Sequence, residues 1–410
     1  MQAVIMAGGQ GTRLRELTKD LIPKPMIEIC GRPLLQWQIE NLKENGINDI
    51  IVVVGHLSER IVTNNDLDKF NNIVSYYIED KPLGTAGALL QIKDILEDEF
   101  FLIYGDLFFN IDFQKMIDFH HSHGGTGTLF VHPNSHPYDS DLVDYENDYR
   151  ITKIYFKDNK PTKWLHNCTT AGIYLFNKRI LEVFPYRHKI DLEKDILPNL
   201  WYCYAYKSSE YVKDIGTVDR YYQVANDIIN NIPFHRNLKK KQKAIFLDRD
   251  GTINEEVGLV SHPAQLNLLP NAAAAIRLIN DSEYLAIVVT NQSVVARGMC
   301  SIEDVNDIHA KMETLLGQEG AYLNDIFFCP HHQDRGYPDE NKEYKIDCDC
   351  RKPKPGLIYK AAERYNIDLS QSWIIGDSPK DEMAGINAGV KPILIPRDAN
   401  NLLEAVRKIL

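Results

Sequence analysis

The stretch Ala244-Ile245-Phe246-Leu247-Asp248-Arg249-Asp250-Gly251-Thr252 joins four apolar residues to a polar loop with two aspartates. A short apolar run bounded by a glycine turn predicts a buried strand. Parallel sheets bind ligands at the carboxyl ends of such strands. Two carboxylates one residue apart suit a nucleophile and a general acid–base, with a divalent cation to relieve their repulsion. The stretch therefore predicts a phosphate-handling α/β domain that begins past the midpoint of the chain.

The same rhythm of apolar strands and amphipathic helices occurs on both sides of this stretch. Strands are predicted at Ala3–Met6, Ile50–Val54, Phe100–Ile103, Leu285–Thr290 and Ser372–Gly376, and a helix over Leu34–Asn45 that ends at Gly46. This alternation indicates two Rossmann-like α/β domains in tandem, each an open sheet. The basic stretch 237–242 is interpreted as a linker, which gives domains of residues 1–236 and 243–410.

Length, charge and cysteine distribution narrow the class of protein. A chain of 410 residues predicts two or three domains. The net charge of −11 argues against nucleic acid or an anionic membrane as a partner, and no apolar run approaches the ~18 residues of a membrane span. The N-terminus shows no basic leader, and the clustered cysteines suggest metal binding in a reducing cytoplasm. The oligomeric state stays open, a homo-oligomer included.

A glycine loop follows the first predicted strand. Gly8, Gly9 and Gly11 let backbone N–H groups approach a triphosphate, while Thr12 and Arg13 follow and the arginine neutralises charge. Because Lys24 lies between two prolines, we expect a stiffened cation near this loop. Leu83-Gly84-Thr85-Ala86-Gly87 is a second glycine-rich stretch.

Two aspartates are candidate metal ligands in this half. Asp106 follows the apolar strand that ends at Tyr104, and Asp214 stands in Lys213-Asp214-Ile215-Gly216-Thr217. One or two carboxylates plus phosphate oxygens satisfy Mg²⁺. Together, these five motifs in this order resemble the sugar-1-phosphate nucleotidyltransferases over residues 1–236.

The resemblance implies a GT-A-like open sheet and in-line attack of a sugar phosphate on the α-phosphorus of a nucleoside triphosphate. Arg13 and Lys24 would offset phosphate charge, and Asp106 with Asp214 would hold Mg²⁺. The chain has Thr170-Ala171-Gly172 where the family usually shows Asn-Ala-Gly, and 156–160 in place of a compact Glu-Lys pair. Gly172 and either Lys157 or Lys160 are therefore the candidates for contact with the sugar phosphate.

The base is predicted from one residue. Glu79 falls, by its spacing from Gly84, where members of this family contact the base edge. A carboxylate accepts hydrogen bonds, and guanine presents adjacent N–H donors that adenine lacks. The prediction is a guanine nucleotide, with an adenine nucleotide as the alternative. Glu79 could also be a solvent-facing residue that contacts no base.

Three further sequence elements are predicted to belong to the same site as Asp248 and Asp250. Thr290-Asn291-Gln292-Ser293 ends a strand with groups suited to phosphate oxygens, Arg351-Lys352 supplies cations, and Asp377 ends another strand. In this order the elements resemble the haloacid-dehalogenase phosphatases over residues 243–410.

That resemblance implies a covalent mechanism. Asp248 would attack phosphorus, and Asp250 would protonate the leaving alcohol and then activate water. Thr290 and Lys352 would stabilise the phosphoryl group, and Asp248, Asp250 and Asp377 would position Mg²⁺.

A cluster of soft metal ligands lies in the same half. Cys329, His331, Cys348 and Cys350 offer three thiolates and an imidazole, which is enough for a closed tetrahedral Zn²⁺ site. Filled coordination favours a structural role. His332 is the alternative imidazole, and unliganded cysteines are the alternative to a metal.

The zinc loop, with DRDGTIN, TNQS and CDCRKP, is similar to the D-glycero-D-manno-heptose 1,7-bisphosphate 7-phosphatases. Relatives of this subtype also act on histidinol phosphate. The fusion favours heptose, because removal of the 7-phosphate leaves the heptose 1-phosphate that a nucleotidyltransferase consumes. The expected substrates are a sugar phosphate and a nucleoside triphosphate.

Other hypotheses remain open at this point. They are the same two activities on another sugar such as mannose, a nucleotide sensor without turnover, and an enzyme that processes nucleic-acid ends. The presence of Arg13, Lys24, Asp106 and Asp214 in the first half argues against a nucleotide sensor without turnover. The acidic balance and the lack of a GxxxxGK[ST] loop argue against nucleic acid.

Overall fold

A computed structural model describes residues 1–9, 14–184, 189–200 and 202–410, which divide into two compact units. The first unit consists of Met1–Val131, Val143–Ile154 and Thr170–Asn237. The second consists of His132–Leu142, Tyr155–Thr169 and Leu238–Leu410. The second unit therefore combines the C-terminal part of the chain with two short segments from the N-terminal half.

The first unit is built on a mixed sheet. Its strands are β1 (Gln2–Met6), β2 (Glu28–Ile29), β3 (Arg32–Pro33), β4 (Asp49–Val54), β5 (Val74–Ile78), β6 (Glu99–Tyr104), β7 (Leu107–Asn110), β8 (Gly127–His132), β9 (Leu142–Tyr145), β10 (Ile151–Tyr155), β11 (Thr169–Asn177), β12 (Cys203–Lys207) and β13 (Tyr211–Asp214). The main sheet has the order β10-β9-β11-β6-β1-β4-β5, with β8 beside β11 and β12 beside β8. β7 and β13 form a separate antiparallel pair.

The order of the central strands positions a ligand crevice. β1 pairs in parallel with β4 on one side and β6 on the other. The chain continues from β1 to β4 and β5 on one side and later returns to the other side of β1 as β6. The carboxyl ends of β1 and β6 therefore border a topological switch point, where open α/β sheets bind ligands. The predicted strands at Ala3–Met6, Ile50–Val54 and Phe100–Ile103 are confirmed.

The helices of the first unit are α1 (Arg15–Thr18), α2 (Leu34–Glu44), α3 (Ser58–Val62), α4 (Gly84–Gln91), α5 (Phe113–His123), α6 (Val218–Ile229) and α7 (Ile232–His235). α2 buries Leu35, Ile39 and Leu42 in the core beneath the sheet. Their spacing of three and four residues places them on one helical face. The helix predicted over Leu34–Asn45 is confirmed and ends one residue early.

The second unit contains a five-stranded parallel sheet. Its strands are β14 (Lys243–Leu247), β15 (Tyr284–Asn291), β16 (Asp325–Cys329), β17 (Trp373–Gly376) and β18 (Lys391–Leu394), in the order β16-β15-β14-β17-β18. The strands are almost entirely apolar because both faces of a parallel sheet are covered. The switch point lies between β14 and β17, directly before Asp248 and Asp377.

The helices of the second unit are α8 (Ala272–Asn280), α9 (Ile302–Gln318), α10 (Gly356–Tyr365), α11 (Pro379–Ala388) and α12 (Leu402–Arg407). α9 begins with a capping box of Ser301 and Asp304 and buries Val305, Ile308 and Met312. No described helix of either unit has the length and apolar character that a bilayer crossing needs.

The two N-terminal segments of the second unit pack on α9. The carboxylate of Glu313 is 4% exposed, with Oε2 2.6 Å from His166 Nδ1 and 3.4 Å from the donating N–H of Asn167. A Cβ on Gly317 would lie 2.3 Å from Pro137, so the other segment contacts the same helix closely. A buried carboxylate needs such partners, and Glu313 therefore anchors 155–169.

Replacing this carboxylate should weaken the second unit. Glu313→Ala leaves the buried Asn167 N–H unpaired, and we expect the free energy of unfolding of that unit to fall by about 1–3 kcal/mol. Urea titration followed by tryptophan fluorescence measures it. Glu363→Ala, an exposed glutamate in α10, is the matched control and should change little. Equal stability of the two variants would contradict the anchoring role.

Candidate active sites and metal centre

The glycine loop of the first unit lies against Glu79. A Cβ on Gly8 would stand 2.6 Å from Glu79 Oε2, so a larger residue here would displace this carboxylate from the glycine loop. Glu79 follows β5 and accepts a hydrogen bond from the Leu83 N–H at 3.3 Å. Burial raises its pKa, although that hydrogen bond lowers it. The structure thus places Gly8, Gly9 and Glu79 at the carboxyl end of the sheet, as a site for an N–H donor would require.

Two aspartates lie on neighbouring segments at this end. Asp106 follows β6, and its carbonyl accepts the Ile215 N–H at 3.0 Å, one residue after Asp214. Lys24 Nζ donates to Asp106 Oδ2 at 2.6 Å. The predicted lysine and both predicted carboxylates are therefore brought together, and two carboxylates of this kind fit Mg²⁺ with phosphate oxygens as its remaining ligands.

Asp214 has a partner that the sequence interpretation missed. Arg220 Nη1 lies 2.7 Å from Asp214 Oδ1 and 2.5 Å from Oδ2, and the Gly216 N–H donates to Oδ1 at 2.8 Å. Burial raises the pKa of Asp214, but the hydrogen bonds and charge of Arg220 outweigh burial and lower it. The carboxylate is therefore ionised and held by a guanidinium.

The remaining predicted residues of the first half have mixed placements. Gly84 begins α4, and the Thr85 hydroxyl accepts the Leu192 N–H at 2.8 Å, so it contacts the start of the π-helix Leu192–Ile196. Gly172 lies in β11 against the ring of Tyr104. Gly11, Thr12 and Arg13 lie outside the described residues, and their roles stay predictions.

Lys157 and Lys160 belong to the second unit. Lys157 Nζ pairs with Asp139 at 3.1 Å, and Lys160 donates to the Pro137 carbonyl. Burial lowers the pKa of Lys160, against the opposing charge of Asp141. Lys160 also lines a cavity of ≈ 270 Å³ with Trp164 and Thr314. Both lysines thus have partners within this unit, and which of them contacts the sugar phosphate stays open.

The second unit assembles three carboxylates around one lysine. Asp248, Asp377 and Asp381 each present an oxygen within 4.8 Å of the others. Lys352 Nζ lies 2.8 Å from Asp248 Oδ1 and 2.5 Å from Asp381 Oδ1, and its side chain is 3% exposed. Burial lowers the pKa of Lys352, but Asp248 and Asp381 outweigh it and raise the pKa, so the ammonium remains charged.

The charge of this group favours a divalent cation. Burial, followed by the charges of Asp248 and Asp381, raises the pKa of Asp377 to about 6. A Cβ on Gly251 would lie 2.0 Å from Asp377 Oδ2, and its φ is +73°, so glycine is required where the two loops meet. Hard oxygen ligands crowded with excess negative charge fit Mg²⁺. Asp381 was missed, although a carboxylate one helical turn after Asp377 is a usable signal.

The side chain of Asp250 is held elsewhere. Its oxygens accept from Arg249 Nη2 at 2.9 Å, from Asn254 Nδ2 at 2.9 Å and from Gln292 Nε2 at 2.9 Å. Asp250 is therefore oriented by three donors at the edge of the site, and the group of three carboxylates contains Asp381 in its place.

Arg249 is itself fully buried and rests on a histidine. Its Nη1 lies 3.2 Å from His309 Nε2. A guanidinium only donates, so Nε2 must accept and neutral His309 carries its proton on Nδ1. Burial, followed by the charge of Arg249, holds the pKa of His309 well below its ordinary value. A histidine on an apolar helical face gave no sequence signal for this contact.

The TNQS residues line the same region. Thr290 Oγ1 and Asp250 Oδ2 both accept from Gln292 Nε2 at 2.9 Å. The Asn291 amide exchanges hydrogen bonds with the backbone of Lys352, at 3.1 and 3.0 Å. Ser293 is buried. Asn291 thus fixes the backbone that presents Lys352, while Gln292 orients Asp250.

Three cysteines and His331 converge on one point. The sulfurs of Cys329, Cys348 and Cys350 lie 3.1 to 3.5 Å apart, and His331 Nδ1 is 3.3 Å from Cys350 Sγ. A disulfide needs about 2.05 Å, and all seven cysteines are free. Sulfurs around tetrahedral zinc, each at about 2.3 Å, would lie roughly 3.7 Å apart. The four donors therefore fit a zinc ion.

The cluster of Cys329, His331, Cys348 and Cys350 and the acidic site are joined by one loop. His332 Nε2 lies 3.3 Å from Arg297 Nη2, outside the set of four donors. Arg351 Nη1 donates to the His331 carbonyl at 3.0 Å. Arg351 and Lys352 directly follow Cys350, so the cluster of four donors and the buried ammonium lie on one continuous segment of chain.

Two family models match the chain. The nucleotidyl transferase family matches residues 2–231. The HAD-hydrolase-like family matches residues 349–407, which contain Lys352, Asp377 and Asp381.

Curated relatives fall into two groups. The chain is 38% identical over 168 residues to a D-glycero-β-D-manno-heptose-1,7-bisphosphate 7-phosphatase of Pasteurella multocida, covering 41% of this chain and 88% of the relative. A protein of the same name from Rhodopseudomonas palustris is 42% identical over 150 residues, covering 37% and 81%. Mannose-1-phosphate guanylyltransferase catalytic subunit beta of Xenopus tropicalis is 33% identical over 203 residues, covering 48% of this chain and 55% of the relative. The chain thus spans about half the length of that last relative.

The buried His309 predicts a pH dependence of stability. Below about pH 6.5 an unfolded histidine gains a proton that folded His309, with its lowered pKa, does not take. Stability is therefore complete above that pH and falls as the pH drops. In His309→Gln, whose amide oxygen still accepts from Arg249, the loss of unfolding free energy between pH 7 and 5 should be smaller by about 1–2 kcal/mol.

Denaturant titrations at both pH values measure this difference. His56→Gln, which replaces an exposed histidine of the first unit, is the control and should keep the original pH slope. An unchanged slope in His309→Gln would show that this histidine is accessible to protons in the folded chain.

Proposed function

We propose that this chain, which belongs to the nucleotidyl transferase family and, through its C-terminal half, to the family of D-glycero-β-D-manno-heptose-1,7-bisphosphate 7-phosphatases, makes a nucleotide-activated heptose. The C-terminal half removes the 7-phosphate from D-glycero-D-manno-heptose 1,7-bisphosphate. The N-terminal half transfers a nucleotidyl group to the resulting heptose 1-phosphate and releases pyrophosphate.

One observation carries this proposal. A single chain holds two phosphate-handling sites, each at the switch point of its own sheet. The alcohol product of one reaction still carries the anomeric phosphate that the other reaction requires. A histidinol phosphatase would have no such partner, so the fusion supports the sugar substrate.

The roles proposed for the phosphatase step are those that the resemblance to the haloacid-dehalogenase phosphatases implies. Asp248 attacks phosphorus, its new P–O bond forms as the bond to the C7 oxygen breaks, and Asp250 donates a proton to that oxygen. Water then attacks phosphorus, its proton passes to Asp250, and the Asp248 carboxylate leaves. Lys352 and Thr290 stabilise the charge on the phosphoryl oxygens.

Magnesium would be held by Asp248, Asp377 and Asp381, together with phosphate oxygens, and would supply charge stabilisation for the phosphoryl group. Two of the three carboxylates, Asp248 and Asp381, contact the Lys352 ammonium. In the N-terminal half, Asp106 and Asp214 would hold magnesium, while Lys24 and Arg13 offset charge on the triphosphate.

We infer a guanine nucleotide, so that the transferred group is GMP. Glu79 lies against the glycine loop with its carboxylate directed at Gly8, and a carboxylate pairs with the two N–H donors of guanine. The guanylyltransferase relative is consistent with this base. The same relative makes mannose 1-phosphate the second candidate acceptor, and ATP is the alternative nucleotide.

The zinc ion is proposed to be structural. Four protein donors fill a tetrahedral shell and leave no position for substrate. Free cysteines are typical of a reducing compartment, which supports a cytoplasmic enzyme.

The combined activity can be tested in one reaction. The full chain is incubated with heptose 1,7-bisphosphate, Mg²⁺ and either GTP or ATP, and the products are identified by mass spectrometry. We expect GDP-heptose, with loss of the 7-phosphate only. Loss of the anomeric phosphate, or no reaction with the bisphosphate, would contradict the proposal. Faster conversion of mannose 1-phosphate than of heptose 1-phosphate would favour the second candidate.

Asp248→Asn should separate the two activities. Removing the nucleophile should lower phosphate release by at least about 10³-fold, while pyrophosphate release from GTP and heptose 1-phosphate stays at the level of the unchanged chain. Asp106→Asn is the reciprocal variant and should lose only pyrophosphate release. Appreciable phosphatase turnover in Asp248→Asn would refute the role of this aspartate.

Cys348→Ser should release the zinc ion. We expect zinc content, measured by plasma mass spectrometry, to fall from about one equivalent to a small fraction, and the melting temperature to fall with it. Cys300→Ser, outside the four-donor set, should keep both values. Less than half an equivalent of zinc in the unchanged chain would exclude the site.

A further inference from the structure

Arg220 occupies an unfavourable position in α6. Thr217 caps this helix, and its hydroxyl accepts the Arg220 N–H at 3.3 Å. The third helical residue is where a capping box places Glu or Gln. The first turn also carries partial positive charge, which disfavours a cation. Local helix chemistry therefore does not explain an arginine here.

The guanidinium instead holds a proposed metal ligand. Arg220 Nη1 contacts both oxygens of Asp214, at 2.7 and 2.5 Å. The side chains of Arg220 and Asp214 are 28% and 37% exposed, respectively. A divalent cation on Asp214 would be repelled by a guanidinium this close. Metal and Arg220 therefore compete for one carboxylate.

We propose that Arg220 is a latch, a side chain that occupies Asp214 in the nucleotide-free chain and leaves it for the phosphates of an incoming nucleoside triphosphate. Free divalent cation then binds the N-terminal site weakly, and the metal enters with the triphosphate. The inference rests on the proposed role of Asp214 and adds a residue that controls when that role begins.

The chemistry of the two partners favours this exchange. A triphosphate carries more negative charge than one carboxylate, and a guanidinium can bind phosphate oxygens through two parallel N–H···O bonds, whereas Arg220 contacts Asp214 through Nη1 alone. The partial exposure of Arg220 lets a ligand reach it. Asp106 is paired with Lys24 in the same way, at 2.6 Å, so each proposed metal ligand already has a cationic partner.

The test measures Mn²⁺ binding to the full chain without nucleotide, by electron paramagnetic resonance. Every arm carries Asp377→Asn, which removes one carboxylate from the acidic group of the second unit and so suppresses binding there. Arg220→Gln should bind Mn²⁺ at least about tenfold more tightly than its parent, because the competing charge is gone. Arg220→Lys keeps the charge but has a single ammonium, and its affinity for Mn²⁺ should fall between those of Arg220→Gln and the parent.

Two controls make the result specific. Arg150→Gln removes an arginine from an exposed pair with Glu146 in the first unit and should leave Mn²⁺ binding unchanged. Asp214→Asn added to Arg220→Gln should remove the gain. Melting curves of each variant identify any that fail to fold, and Arg220→Lys then provides the comparison.

A second titration separates failure of the latch from failure of the proposed function. Binding of the Mn²⁺–GTP complex should be lost in Asp214→Asn. If that binding survives, Asp214 is not a metal ligand and the proposed site is wrong. If it is lost but Arg220→Gln binds free Mn²⁺ no more tightly than its parent, the latch alone is refuted.

Discussion

The second unit depends on one buried ammonium shared by two carboxylates. Lys352 lies within 2.8 Å of Asp248 and 2.5 Å of Asp381, and a third acid, Asp377, belongs to the same group. Such a concentration of like charge is unstable unless it is neutralised. The surrounding residues fix the position of Lys352. The Asn291 amide holds its backbone, and Cys350 precedes it by two residues. Chemistry and stability are therefore coupled at this residue.

Both units place their reactive groups by the same topological rule. In each sheet the first strand is central, and later strands lie on both sides of it. The loops after the first strand and after its neighbour on the other side therefore face each other. The loops that carry Gly8 and Asp106 follow neighbouring strands in one unit, and the loops that carry Asp248 and Asp377 follow neighbouring strands in the other. Different chemistry arises from the loops alone: glycine N–H groups and a lysine in one, crowded carboxylates in the other.

Residues that directly follow apolar strands were predictable from sequence. Asp106, Asp248 and Asp377 each end a buried run, and the carboxyl ends of parallel strands share an edge. Contacts made by helix side chains were not predictable in this way. Asp381 and Arg220 stand in first turns whose direction depends on the packing of α11 and α6. His309 meets Arg249 across 60 residues of chain, and no local pattern encodes that contact.

The composition of the second unit has a consequence for biosynthesis. Residues 132–142 and 155–169 emerge from the ribosome well before α9, on which they pack, has been translated. The N-terminal half therefore cannot complete all of its packing before α9 has been translated, and Trp164, with its neighbours, must wait for that helix. For the same reason, a gene truncated after residue 237 would encode a protein with an uncovered apolar surface, prone to capture by chaperones.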